Sequence, residues 1–366
     1  VAERLLPSEG EKNGIFFSDP LELPPWPWTF PEEVGVEEFE GMAEGQMPSP
    51  YLVEELQKAA MHFATFVLAS PVFFACDDWE KAAGEARKAC GWSSMERFAQ
   101  RAWRRPLSDE ERDRLKNFWE SNWESSTPDE ALVLTAAGVL QSPAFLFRPE
   151  LGKAKGEDTG GSLLSGWEMA SRLSYFLWDS MPDPQLFAAA GQGKLSTEAE
   201  IEEQARRMLE DPRARDTVVH FHHQWIGTEH VHGISPARRA YGQLYGLEPN
   251  PKQDTTGDGV WPAILLPIRH SMEAETELFI EEIVFDGEGT LEALLSSPRG
   301  YVSEHTLPIY GDGLEYLSED PLVVPYGVVV NSIGALNTLN LFPVEFAADE
   351  RAGLLTLPSV LALGAY

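Results

Sequence analysis

The sequence predicts a mainly α protein: multi-helix, bundle-like units with long loops, an extended Pro/aromatic N-terminal arm, and a small β-hairpin near the C-terminus. Four Ser/Thr-x-x-Glu patterns mark helix starts, pairing Ser108 with Glu111, Thr127 with Glu130, Ser165 with Glu168 and Thr197 with Glu200. In such a capping box the hydroxyl accepts from an otherwise orphaned first-turn amide while the Glu reaches back to the cap residue. Apolar residues then recur at helical spacing, as Leu115, Phe118 and Trp119 do, and Ile201, Ala205, Met208 and Leu209. Strand signals are few, and the best is Pro321–Val330, where Val323, Val324, Val328, Val329 and Val330 are β-branched.

In chain order, residues 1–50 read as an extended arm, because Pro24-Pro25-Trp26-Pro27-Trp28 excludes helix. Its Trp26, Trp28 and Phe30 are expected to pack on the body, with stacking on a ligand as the alternative. Residues 51–151 form a first helical unit, with helices expected over Tyr51–Leu68 and Ser94–Trp103 and after the caps at Ser108 and Thr127. Gly152–Gly161 reads as a flexible linker. Residues 162–311 form a second unit, with helices over Arg213–Ile226 and Ile264–Phe285 and a Pro/Gly-rich excursion over 233–261. Residues 312–366 form a C-terminal segment holding the hairpin.

Composition narrows the classes. With 43% hydrophobic and 11% aromatic residues in 366, the chain can bury a large core and cannot be disordered throughout. The longest apolar stretch, Phe63–Ala75, is broken by Ser70 and Pro71 and falls short of the roughly 20 residues that span a bilayer. No transmembrane segment is expected. A net charge of -31, from 28 basic against 59 acidic residues, repels phosphate backbones, so nucleic acid is not an expected partner. The same charge suits a saline setting, a cationic partner, bound calcium or simply a well-solvated surface. Cys76 and Cys90 form neither a haem-attachment pair nor a zinc-type pair; a local disulfide fits best, with two free buried thiols as the alternative. No signal segment is visible at Val1, which fits a cytoplasmic protein or, the preferred reading, a matured exported one.

The densest ionisable cluster is His220, His222 and His223 followed by Glu229, His230 and His232. On a helix His220 and His223 share a face, and with Glu229 or His230 they form a candidate site for zinc, copper or iron. The bland alternative is surface or capping histidines, and no His-Glu-x-x-His pattern is present. His62, His270, Met272 and His305 are the remaining soft or nitrogen donors, each a candidate axial ligand but alone more often structural. Glu273, Glu275, Glu277, Glu281 and Glu282 lie on one predicted helix; paired carboxylates can do acid–base work, but a solvated stripe is the expectation. Asp254 and Asp258 beside Gly257 and Gly259 resemble a calcium loop only loosely. Arg172, with Tyr175, Trp178 and Asp179, is a candidate clamp for a carboxylate or haem propionate, against a buried Arg–Asp pair. Phosphate loop, nucleophile elbow and Rossmann fingerprint are all missing from the sequence.

Several strings resemble a known family. Arg97–Glu111 carries an Arg-Arg-Pro stop and a capped helix; Leu140–Arg148, Glu168–Trp178 and Met181-Pro182-Asp183 follow. Gly193-Lys194-Leu195, Arg207-Met208-Leu209, Phe221 with Gln224-Trp225, Tyr301–Gly311 and Arg351–Leu355 keep the order. Together these are similar to the large planctomycete and myxobacterial exported proteins built from serial domains of unknown function and associated with c-type cytochrome modules. The histidines around His220 depart from that family's pattern. The resemblance implies a disulfide between Cys76 and Cys90 and a periplasmic or extracellular setting. It further implies haem c carried by the C-terminal part of the same precursor, as a partner chain or a missing part beyond Tyr366. The expected role is a helical subunit scaffolding or gating that module in redox chemistry, a haem-dependent oxidoreductase together with its partner. The alternatives are a surface module binding polysaccharide or a protein, and a metal-dependent enzyme using the histidine cluster.

Overall fold

The computed structural model describes residues 49–69, 73–76, 79–154, 162–234, 241–247, 260–311, 314–330, 333–347 and 351–364. The aromatic arm and the Asp254/Asp258 loop lie outside the described residues. Among the described residues the chain is mainly helical, with a two-stranded ribbon and a small four-stranded sheet, and it divides into two compact units between Thr217 and Val218.

The first unit opens with α1 (Pro50–Ala69), α2 (Gly84–Ala102), α3 (Asp109–Ser125) and α4 (Pro128–Leu140). Both expected capping boxes form, Ser108 with Glu111 and Thr127 with Glu130. Glu111 also takes a bidentate pair from Arg105 at 2.7 and 2.8 Å, and that guanidinium holds its carboxyl down at about 2 against the opposing effect of burial. Trp119, Phe73, Met95 and Leu132 centre the core. Gly91 is required there, because a Cβ at that position would lie 2.6 Å from the Trp119 ring. Cys76 and Cys90 are joined in a disulfide, with Cα atoms 5.8 Å apart, tying the segment before α2 to that helix.

α2 starts ten residues before the expected Ser94, and Ala83 at its N-cap makes no side-chain cap bond, so no cap signal marks this start. At its other end Arg104, in a left-handed conformation (φ 58°), buries its guanidinium against the turn Pro143–Leu146. The unit continues through a two-stranded ribbon, β1 (Lys153–Ala154) with β2 (Ser162–Leu163), at the ends of the expected linker. Then come α5 (Gly166–Trp178), α6 (Pro184–Gly191) and α7 (Glu198–Leu209). Trp178, Leu186, Leu195 and Met208 form their core, and the Trp178 indole N–H donates to the Met208 carbonyl at 2.9 Å. Arg213 lies 3.6 Å over the Trp178 ring, where cation–π attraction supports the packing.

α8 (Arg213–Ile226) keeps the expected bounds. Ala214 belongs to the core around Trp178, whereas Val219 belongs to one with Phe279, Ile280 and Ile283. In the second unit Gly227, at φ 71°, turns the chain into a 3-10 turn, Thr228–Gly233. α9 (Val260–Glu281) follows and runs on as a π-helical turn, Glu282–Asp286, then α10 (Leu291–Ser296). The sheet has β6 (Ile333–Glu345) at its centre, antiparallel to β3 (Arg299–Ser303), β4 (Glu315–Tyr316) and β5 (Leu322–Val330). β5 and β6 make the expected hairpin, registered from Leu322 opposite Leu341 to Val330 opposite Ile333. Ala274 of α9 packs with Tyr301, Leu339 and Leu341 of the sheet, and α11 (Pro358–Gly364) adds the buried Ser359–Thr276 hydrogen bond at 2.7 Å.

Candidate metal centre

α9 packs against the 3-10 turn, β3 and α11, which bury its Ser271, Glu275 and Thr276. His270 and Glu273, three residues apart, share one face of it. The 3-10 turn brings His232 to the same face, and the Arg269 guanidinium anchors the turn's end by donating to the Ile234 carbonyl. His232 Nε2 lies 2.8 Å from Glu273 Oε2, and His270 Nδ1 lies 3.5 Å from that same oxygen. One donor atom from each of the three residues falls within 4.8 Å of the others. The two imidazole rings are 4.7 Å apart between centroids, and Tyr326 of β5 stands equally close to His270.

A tetrahedral ion with bonds of about 2.0–2.2 Å sets neighbouring ligand atoms roughly 3.3–3.6 Å apart, a spacing that a small opening of the His232–Glu273 contact would give. Two imidazoles and one carboxylate suit zinc or iron and leave coordination positions open for water or substrate. Burial, followed by the neighbouring His232, lowers the pKa of His270, against the opposing pull of Glu273. That favours the neutral imidazole a metal ligand must be. The site is partly exposed, with His232 39% and His270 19% accessible at the side chain, so solvent can reach it.

The expected trio of His220, His223 and His230 is not brought together; among the described residues His232, His270 and Glu273 are the grouping with metal-site geometry. The reason is the turn at Gly227, which presents His232 to α9 and leaves His230 exposed beside Glu229 at 3.6 Å. His220 neighbours Gln224 on α8. His223 is buried, its Nδ1 2.6 Å from the Thr228 hydroxyl and its Nε2 3.6 Å from Glu277 and without a hydrogen-bond partner. His222 is held by its own helix, donating from Nδ1 to the Val218 carbonyl at 2.7 Å.

The acidic residues of α9 correct a second expectation, since they are not a solvated stripe. Glu275 is fully buried; it accepts from the hydroxyls of Thr306 and Tyr310 and from the Ser303 amide, and burial pushes its carboxyl up to about 8 against those hydrogen bonds. Glu282 accepts from Arg299 at 2.6 Å and Tyr301 at 2.9 Å, locking the π-turn to β3. Arg172, in the first unit, pairs with Glu150 and not with Asp179, which ends α5 in a left-handed cap at φ 45°. Met272 packs with Leu265 and Ile268, His62 with Phe66, and His305 lies 3.7 Å from Glu304.

Comparison with known families matches residues 164–311 to PSD4, described as a protein of unknown function (DUF1592), and residues 90–150 to PSD5, likewise of unknown function (DUF1595). No curated protein and no solved structure matches the chain. The chain thus joins segments similar to two families of unknown function, and His232, His270 and Glu273 all fall inside the PSD4-like one.

Proposed function

We propose that the second unit is a metal-dependent catalytic module in which His232, His270 and Glu273 hold one transition-metal ion. The convergence of two imidazoles and a carboxylate from separate segments supports this reading. Such an ion polarises a bound oxygen or lowers the pKa of bound water. Around it, Glu273 and the two imidazoles fix the position, and the open, partly exposed side admits the substrate. The buried His223 imidazole beside Glu277, one turn along α9 from Glu273, is a candidate base.

The proposal includes an exported setting, which the disulfide supports and to which the lack of a membrane-spanning helix among the described residues is no obstacle. It includes, on the strength of the family resemblance, a c-type haem module carried by a partner chain from the same precursor. The metal reading is tested by elemental analysis after loading with zinc or iron(II) and gel filtration. About one ion per chain is expected, lost in Glu273→Gln and His270→Ala and kept in His220→Ala. Equal loss in His220→Ala, or no bound ion in the parent, would contradict it.

A further inference from the structure

The first unit contains a cavity of about 410 Å³ between the end of α2, the turn Pro143–Leu146 and α5. Its size is that of a small-molecule site. In a chain of net charge -31, the wall of this cavity is cationic: Arg104, Arg105, Arg148 and Arg172 line it against Glu150 and Glu168. Two of the four cations are already neutralised, Arg105 by Glu111 and Arg172 by Glu150. Glu168 is also committed, because its carboxylate accepts from the amides of Leu151, Gly152 and Ser165.

Arg104 and Arg148 remain. Arg104 as a whole is 3% exposed, and its guanidinium donates to the backbone carbonyls of Ala102, Ala144, Phe145 and Phe147, which are dipoles and not anions. Arg148 is exposed and stands 4.4 Å over the Tyr175 ring; Arg104 approaches the same ring at 5.7 Å. Among the described residues neither has a carboxylate partner. A buried cation without a counter-ion is costly, and a second like charge beside it adds repulsion. Beside Ser165 and Ser171 the rest of the wall is mostly apolar and rich in flat rings, with Tyr175, Trp167 and Phe176, the last of them 76% exposed.

We propose that this cavity binds a small organic anion, a carboxylate on a flat apolar body. The carboxylate supplies the counter-charge that Arg104 and Arg148 lack, and the body lies against Tyr175 and Phe176. Arginine suits the role because its planar fork meets a carboxylate at two oxygens. The site is independent of the metal proposal and lies wholly in the first unit.

Benzoate and its neutral isostere benzamide are the probes, followed by saturation-transfer NMR and calorimetry on the whole chain. Benzoate is expected to bind, more weakly as salt is raised, and benzamide is not. Arg148→Gln and Phe176→Ala, both at exposed positions that leave the fold intact by circular dichroism, are each expected to weaken benzoate about tenfold or more, a loss of about 1.4 kcal/mol. Arg112→Gln, an exposed charge removal outside the cavity wall, is expected to bind as the parent does. The proposal is overturned if benzoate fails to bind at about 10 mM, a very weak affinity limit. It is equally overturned if benzamide binds as well, or if Arg148→Gln and Arg112→Gln behave alike.

Discussion

The two units bury different things. The first is held by large apolar groups, Trp119, Phe73, Met95, Leu132, Leu186 and Met208, and puts many of its acids to work at helix starts. The second has a smaller apolar share and buries His222, His223, Gln224, Ser271, Glu275, Thr276, Ser303 and Thr306. Each buried polar group must recover in hydrogen bonds what it loses by leaving water, and a titratable one does so only in one protonation state. The contrast separates a unit held mainly by apolar packing from one that also buries a network of hydrogen-bonded polar groups.

The sharpest way to break that contrast is to empty the first core. Trp119→Ala is expected to destabilise the first unit by about 3–5 kcal/mol, since the hole left by an indole collapses only partly. Denaturant unfolding measures the loss, and metal binding per folded chain should be unchanged. Removing the disulfide by Cys76→Ser with Cys90→Ser comes next. For a loop of sequence separation 14 the chain-entropy model gives roughly 3 kcal/mol. Intact mass before and after reduction checks the bond itself, and two freely alkylated thiols would refute it.

The second unit carries the pH dependence. The folded-state pKa of Glu275, about 8, stands above its ordinary value of 4.5, so between those limits the folded state binds more protons than the unfolded one. Stability from this residue is therefore fully present below about 4.5 and is lost as pH rises through about 8. Glu275→Gln should flatten the fall in unfolding midpoint between those values; an unchanged slope would place the titrating group elsewhere. The smallest effect is expected at a cap: Thr127→Ala should cost about 1 kcal/mol by the same unfolding assay and leave the second unit's pH profile untouched.

Local physics explains which features were legible in the sequence. All four capping boxes formed because Ser or Thr and a Glu three residues later suffice to satisfy a helix start. The β5–β6 hairpin was legible from its β-branched run for a similar reason. The start of α2 was not, since Ala83 offers no capping oxygen and Gly84, Glu85 and Ala86 are exposed, so neither a cap nor a buried stripe marks it. The candidate metal centre was half legible. A cluster of histidines flagged the region, but local spacing favoured His220 and His223. The grouping in the structure joins His232 to a residue 38 positions later, and the Gly227 turn and the docking of the 3-10 turn on α9 bring them together. Glu275 was picked out only as one of a carboxylate stripe, and its burial was not legible, because that depends on the hydroxyls of Thr306 and Tyr310, which arrive from beyond β3.

Whether His232, His270 and Glu273 bind one ion is read from an anomalous difference map of a crystal loaded with zinc, collected at the zinc absorption edge. A single strong peak is expected between the two imidazole nitrogens and the Glu273 carboxylate, at bonds of about 2.0–2.2 Å. A peak centred instead on His220 and His223, or none near α9 at all, would contradict the proposed centre.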